Sequence, residues 1–151
     1  MTEPEPARDA EQRRKDVLHR LQHDEDAWVA TASADGLPYL VPLSFVWDRD
    51  TLLLATRRTN PTAVNVTPSG EVRVTLGHTR DVVLIEGTAE TQEGSELPAA
   101  SADAFAAKLG WDPRDRPAWV YLRITPRTIK AWREVNELAG RELMTEGVWI
   151  D

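Results

Sequence analysis

The chain contains no cysteine. That removes disulfides, thiolate metal sites and cysteine nucleophiles from consideration. Histidine is scarce, at three in 151 residues. His19 and His23 stand one helical turn apart but lack a defined third ligand, so they read as part of a solvated charged face and no metal site is expected. His78 reads as an exposed loop residue within reach of a ligand. No apolar run approaches the ~20 residues that a bilayer-spanning helix needs. Positive charge is in deficit: the net charge is -7 and the pI about 5.0. Such a surface repels nucleic-acid phosphates and anionic membranes, which argues against both as partners. No G-x-S-x-G elbow, P-loop or dinucleotide-binding glycine fingerprint occurs, and no internal repeat.

What is present is ordinary globular material, 41% hydrophobic and 28% charged. This length predicts one domain over residues 1–151 with a single core, frayed at residues 1–8. The opening MTEPEPARDAEQRRKD has no apolar signal core, so a cytoplasmic location is expected. Residues 9–23 have helical composition with a narrow stripe of Val17, Leu18 and Leu21. Strand patterns follow at 28–33, 38–47, 51–56, 71–76 and 81–90, with Asp35-Gly36 and Asp48-Arg49-Asp50 as turns and Gly87 as a bulge. Pro38 and Pro42 mark the second strand as an edge or a barrel corner. Leu52, Leu53 and Leu54 form a run buried on both faces. Residues 95–109 read as an amphipathic helix with Leu97, Phe105 and Leu109 inward. Residues 118–125 and 127–132 read as two strands split by Pro126, and 134–144 as helix. Short strands, tight turns and few helices predict a mainly β fold, a small antiparallel barrel with helices plugging its ends.

One junction carries chemistry. The loop from Thr56 to Thr62 leaves an apolar strand and opens a short helix with Asn60 as N-cap and Pro61 in the first turn. It offers unpaired backbone N–H groups, the hydroxyls of Thr59 and Thr62, and two guanidiniums, Arg57 and Arg58. That is a physical recipe for holding a phosphate. The alternative is that both arginines are solvated loop charges.

The stretches ATASADGLPYLVPLSFVWD, LLLATRRTNPTAVNV, EVRVTLG and RDVVLIEGTAE resemble the split β-barrel flavoproteins related to pyridoxamine 5'-phosphate oxidase. The resemblance covers about 60 residues well. It implies a six-stranded, Greek-key-like antiparallel split barrel with peripheral helices, a homodimer, and FMN at the subunit interface. Laid on the family pattern, Thr56 matches the strand-end threonine. Asn60, Pro61 and Thr62 fall on the Ser-Arg-Lys positions of the phosphate grip, Asn65 on the polar helix position, and Arg80, Asp81 and Val82 on an Arg-Gln-Val segment. The Arg-Lys pair is therefore replaced by Pro61-Thr62 and the Gln by Asp81, and the C-terminal substrate signature of the vitamin-pathway oxidases is absent.

The resemblance places the flavin ring against Leu43, Ser44 and Phe45, with Trp132, Trp111 or Trp149 either covering a partner's ring or packing in a core. The implied activity is two-electron redox of a small organic substrate. No catalytic residue is assigned, because the coenzyme supplies the reaction. The deazaflavin coenzyme F-420 is the alternative cofactor. A non-catalytic module for flavin, haem or another planar ligand, and an empty barrel, are the alternatives from other classes.

Overall fold

The structure is a computed structural model describing residues 5–151. Among the described residues three α-helices, α1 (Ala10–His23), α2 (Pro61–Ser69) and α3 (Ala99–Leu109), surround eight strands. These are β1 (Asp26–Ala32), β2 (Pro38–Asp48), β3 (Thr51–Arg57), β4 (Glu71–Leu76), β5 (Val82–Gln92), β6 (Trp119–Trp132), β7 (Glu142–Thr145) and β8 (Val148–Trp149). The sheet order is β3-β2-β1-β4-β5-β6-β7-β8, and a further ladder joins β3 to β6. That ladder runs from Leu52↔Ile124 to Arg57↔Trp119 and closes the first six strands into an antiparallel barrel. The fold is thus mainly β, as the alternating strand patterns require.

Two tight turns begin the meander. Gly36 has φ 83, and Arg49 and Asp50 have φ 52 and 60, the left-handed pair that a two-residue hairpin demands. The chain then crosses from β3 to β4 through α2, passing β2 and β1, which makes the topology Greek-key-like. Ala63 and Val66 of α2 are buried, and Asn65 Nδ2 donates to Thr31 Oγ1 at 3.1 Å. This helix covers the barrel end where β1 and β3 finish. α1 lies at the other end, capped by Asp9, whose carboxylate accepts the Gln12 N–H at 2.8 Å. Its Val17 and Leu21 join the barrel core with Val29, Phe45, Leu54, Ile85 and Leu122.

A second core lies outside the barrel, where Leu97, Ala102 and Phe105 pack on Val46, Leu53, Ala55 and Tyr121. β3 is shared by both cores, so Thr51 through Thr56 are all buried, as the three-leucine run predicts. Ser101 Oγ donates to Asp48 Oδ2 at 2.7 Å, and Arg123 Nη1 donates to Thr51 Oγ1 at 2.8 Å, fastening the helix, the hairpin and β6 together.

Four expectations are corrected. α3 begins at Ala99 rather than Ser95, with Pro98 at the N-cap. β6 is one strand, not two. Pro126 sits opposite Gly87 where the β5–β6 register shifts, so its missing N–H falls at a bulge rather than breaking the ladder. Residues 134–144 are not helical beyond the 3-10 turn Val135–Glu137; β7 and β8 form instead, joined by Glu146 (φ 51) and Gly147 (φ 77). Burial of Leu143 and Met144 against β6 overrides the helical propensity there. Finally, Arg8 is anchored rather than frayed. Its Nη2 donates to Glu137 Oε1 at 2.7 Å and its backbone N–H to Glu137 Oε2 at 2.9 Å. Residues 1–4 lie outside the described residues.

Two tests follow from this packing. A Cβ at Gly87 would stand 2.7 Å from the Thr125 carbonyl oxygen. Gly87→Ala is therefore expected to lower unfolding stability by about 1–3 kcal/mol in urea titration. Hydrogen bonds from Arg8 hold the buried Glu137 carboxyl down at about 2, from an ordinary 4.5. A depressed folded-state pKa means that this stabilisation is complete above 4.5 and lost as pH falls through about 2. Glu137→Gln should flatten the acid limb of a stability–pH curve across that window.

Candidate functional site

The barrel opens along a seam between β2 and β3. β2 pairs with β3 only from Phe45↔Leu54 to Asp48↔Thr51, whereas its first half continues to pair with β1 as far as Ala32↔Pro38. Two hydrogen bonds set the phase of that half. Phe45 N–H donates to Glu25 O at 2.9 Å, and Ser33 N–H donates to Leu37 O at 2.9 Å. Antiparallel pairing alternates, so the polar groups of Tyr39, Val41, Leu43 and Phe45 face β1. Those of Pro38, Leu40, Pro42 and Ser44 face the seam. The two prolines have no N–H to leave unpaired there, and Leu40 and Ser44 present theirs.

Beyond the seam stand the end of β3 and the first turn of α2. Asn60 occupies the N-cap position but makes no cap hydrogen bond with its side chain; its Nδ2 donates to Thr56 Oγ1 at 2.9 Å instead. The first intrahelical bond is Val64 N–H to Asn60 O at 3.1 Å, so the N–H groups of Thr62 and Ala63 are left uncapped by any side chain. The helix dipole adds partial positive charge there. The exposed Arg57 guanidinium lies over the Trp119 ring, 5.2 Å from its centroid, with no carboxylate partner among the described residues.

Several sequence-predicted site residues lie elsewhere. Phe45 is wholly buried in the barrel core and its N–H is taken by Glu25, so neither its ring nor its backbone faces the seam. Leu43 packs on the same core. Of that trio Ser44 alone presents backbone to the seam, while its Oγ donates to Asp26 Oδ1 at 2.6 Å. Thr62 is also buried, so its hydroxyl does not point at a surface anion. Arg58 is committed: its Nη1 and Nη2 donate to the two Glu93 oxygens at 2.8 and 2.9 Å, and its Nε to Pro117 O at 2.9 Å. Those bonds hold the Glu93 carboxyl below the usual carboxylate range.

Thr59 is exposed and Asn65 is tied to Thr31. Arg80, Asp81 and Trp132 belong to the opposite end of the barrel, where β5 starts and β6 ends at Val82↔Trp132. There Arg80 Nη2 donates to Glu134 at 2.6 Å, and Asp81 lies 3.5 Å from both Arg20 and Arg133. One chain therefore does not bring them to the seam.

Residues that sequence reasoning missed include Glu93, Trp119 and the backbone of Leu40. The first two had no local signal. The third had one, since Pro38 and Pro42 share the parity of an unpaired edge.

The sequence model of the pyridoxamine 5'-phosphate oxidase family matches residues 14–133. The chain belongs to that family. The family match runs from α1 through β6 and spans both barrel ends and the seam. Among solved structures the fold is similar to general stress protein 26 from Bacillus anthracis, at 22% identity and TM-score 0.60, over 78% of this chain and 91% of that one. It is similar to an F420 reductase at 17% identity and TM-score 0.59, over 74% and 93%. It is also similar to a heme binding protein from Mycobacterium smegmatis at 19% identity and TM-score 0.64, over 97% and 60%. No curated protein sequence matches the chain. Among the described residues no helix is long and apolar enough to cross a membrane, and no cluster of three or more acidic or histidine side chains could hold a metal ion.

The burial of Phe45 is directly testable. Phe45→Ala should cost about 3–5 kcal/mol of unfolding stability, as a core truncation does. A ring-contact residue at a surface crevice would show a far smaller loss in the same denaturation experiment.

Proposed function

We propose that the seam between β2 and β3 receives the ring of a flavin-type coenzyme, FMN in the first reading, and that the protein is an oxidoreductase acting on a small organic molecule in the cytoplasm. The observation that carries this reading is local. A backbone edge bearing two free N–H groups lies beside a helix N-terminus whose first turn is uncapped and whose adjoining guanidinium is unneutralised. A planar heterocycle with a phosphate on a short chain asks for those two elements next to each other.

The fit assigns roles by chemistry. The Thr62 and Ala63 N–H groups, Arg57 and the Thr59 hydroxyl suit the phosphate. The Leu40 and Ser44 N–H groups suit the ring's heteroatom edge, and their direction away from β1 orients it. When bound, the coenzyme supplies two-electron transfer. The chain's own task is to position the ring and keep water off it.

That shielding requires a second subunit. Trp28 and Leu40 are 47% and 59% exposed on the outer face of β1 and β2, which suits a homodimer contact beside the seam. Arg80, Asp81 and Trp132 reach such a ring only from the partner copy. The F420 reductase among the similar folds supports coenzyme F-420 as the second reading. The heme binding neighbour supports a binding module without turnover as the third.

The purified protein is expected to show flavin absorption near ~370 and ~450 nm, or to acquire it on adding FMN. Arg57→Ala should weaken FMN binding by about tenfold or more, the worth of one charge-assisted contact. Arg58→Ala should change it little, because Arg58 already serves Glu93. A colourless protein whose titration with FMN and with coenzyme F-420 yields no binding overturns the reading.

A further inference from the structure

Next to the seam, the loop before β6 carries an ordered cationic feature of which the coenzyme reading uses only Arg57. Trp111 and Trp119 meet edge to face, with ring centroids 4.7 Å apart. Phe105 supports Trp111 from beneath at 5.8 Å. Each indole holds one guanidinium over its face. Arg57 lies 5.2 Å from the Trp119 centroid, and Arg116 lies 5.6 Å from that of Trp111. The loop itself is held in place. Arg116 N–H donates to Pro113 O at 3.0 Å, Trp119 N–H to Arg116 O at 3.0 Å, and Arg58 N–H to Ala118 O at 2.9 Å. This last bond sets the loop directly against the end of β3.

Charge pairing sets these two arginines apart from their immediate neighbours. In a chain of net charge -7, the neighbouring Arg58 and Arg114 are consumed by carboxylates: Glu93 for the first, Asp103 and Asp112 for the second. Arg57 and Arg116 have no carboxylate partner among the described residues, and both are exposed. A groove of about 220 Å³ passes Trp119 and Arg116, with Glu93, Arg114 and Asp115 also on its walls. On those walls Glu93 is paired with Arg58 and Arg114 with Asp103 and Asp112, which leaves Asp115 as the other charged group beside Arg116. A guanidinium stacked on an indole keeps its N–H donors in the ring plane's periphery, free for an oxyanion, while losing little further entropy on binding one.

We infer that Arg116, carried with Arg57 on the Trp111–Trp119 pair, forms a second anion subsite beside the phosphate cradle at the start of α2, with Arg57 shared between the two anionic groups. The ligand that uses it carries at least two anionic groups a few bonds apart, phosphate or carboxylate. For the identity of that ligand the inference rests on the coenzyme reading above, and it favours a coenzyme with an anionic tail over FMN, which has a single phosphate. The same chemistry would also accept an anionic substrate lying beside the ring.

The subsite is tested first without any coenzyme. Tripolyphosphate and orthophosphate are titrated into the full-length protein at low ionic strength, with tryptophan fluorescence as the readout. Tripolyphosphate should bind at least about tenfold more tightly, and Arg116→Ala should abolish that advantage, since it removes one charge-assisted contact. Equal affinities for the two anions, or an advantage that survives Arg116→Ala, overturns the subsite whatever the coenzymes do. The second arm compares FMN with coenzyme F-420. If Arg116→Ala weakens F-420 at least about tenfold more than FMN, the subsite holds a coenzyme tail. If the two losses are equal while the polyphosphate result stands, it holds an anionic substrate. A positive polyphosphate result with neither coenzyme bound retains the subsite and rejects the coenzyme reading. Far-ultraviolet circular dichroism and the urea midpoint of Arg116→Ala confirm that the variant is folded.

Discussion

The β3–β6 ladder is the interaction on which the rest of the structure depends. Without it the strands form an open sheet with two edges; with it they form a barrel with an inside. β3 can close that ring because its side chains are buried on both faces, Leu52 and Leu54 in the barrel and Leu53 and Ala55 under α3. Each fully buried leucine contributes roughly 1.5–3 kcal/mol by removal from water, as an upper estimate. Barrel closure and docking of α3 therefore draw on the same strand. The Arg123 side chain joins them, since it reaches from β6 to Asp48 and Thr51 of the β2–β3 hairpin, and Ser101 of α3 meets the same Asp48 carboxylate.

Closure through β3 has a geometric consequence. β3 stays with β6 along one edge to its end at Arg57, while its other edge parts from β2 beyond Phe45. The seam is the result. An unpaired strand edge is ordinarily a liability, because its free groups recruit other strands. Here Pro38 and Pro42 remove half of the donors along that edge, and α2 closes over the end of the barrel. What remains is a short strand edge with a sparse set of N–H groups next to a helix N-terminus.

The electrostatics sharpen the same corner. The protein is acidic, yet the end of β3 and the loop before β6 hold guanidiniums in ordered positions. Arg58 is neutralised by Glu93, while Arg57 rests on Trp119. Arg57 stands a few residues upstream of Pro61 and Thr62 and is steadied by an indole face. At the opposite end of the barrel Arg8, Arg20, Arg80 and Arg133 are paired with carboxylates, while Arg141 rests on the Trp132 ring.

The sequence by itself determined the strands β1 to β5, their turns and the helix at residue 61. Period-two alternation, left-handed turn positions and a proline in a first helical turn are local properties, and β4 runs over Glu71–Leu76 as its alternation predicts. The strand-to-helix junction at residues 56–65 was legible for the same reason. Sequence could not decide which way each group in it faces. Phe45 and Leu43 look like plausible ring contacts until the register with β1 turns them inward. Thr62 looks like a phosphate ligand until α2 packs it down, and Arg58 looks free until β5 brings Glu93 alongside. Helical composition at 134–144 likewise yields to burial of Leu143 and Met144 on β6. In each case the deciding contact joins residues far apart in the chain, and a local pattern carries no information about which distant partner will arrive; that was settled by the closing of the barrel.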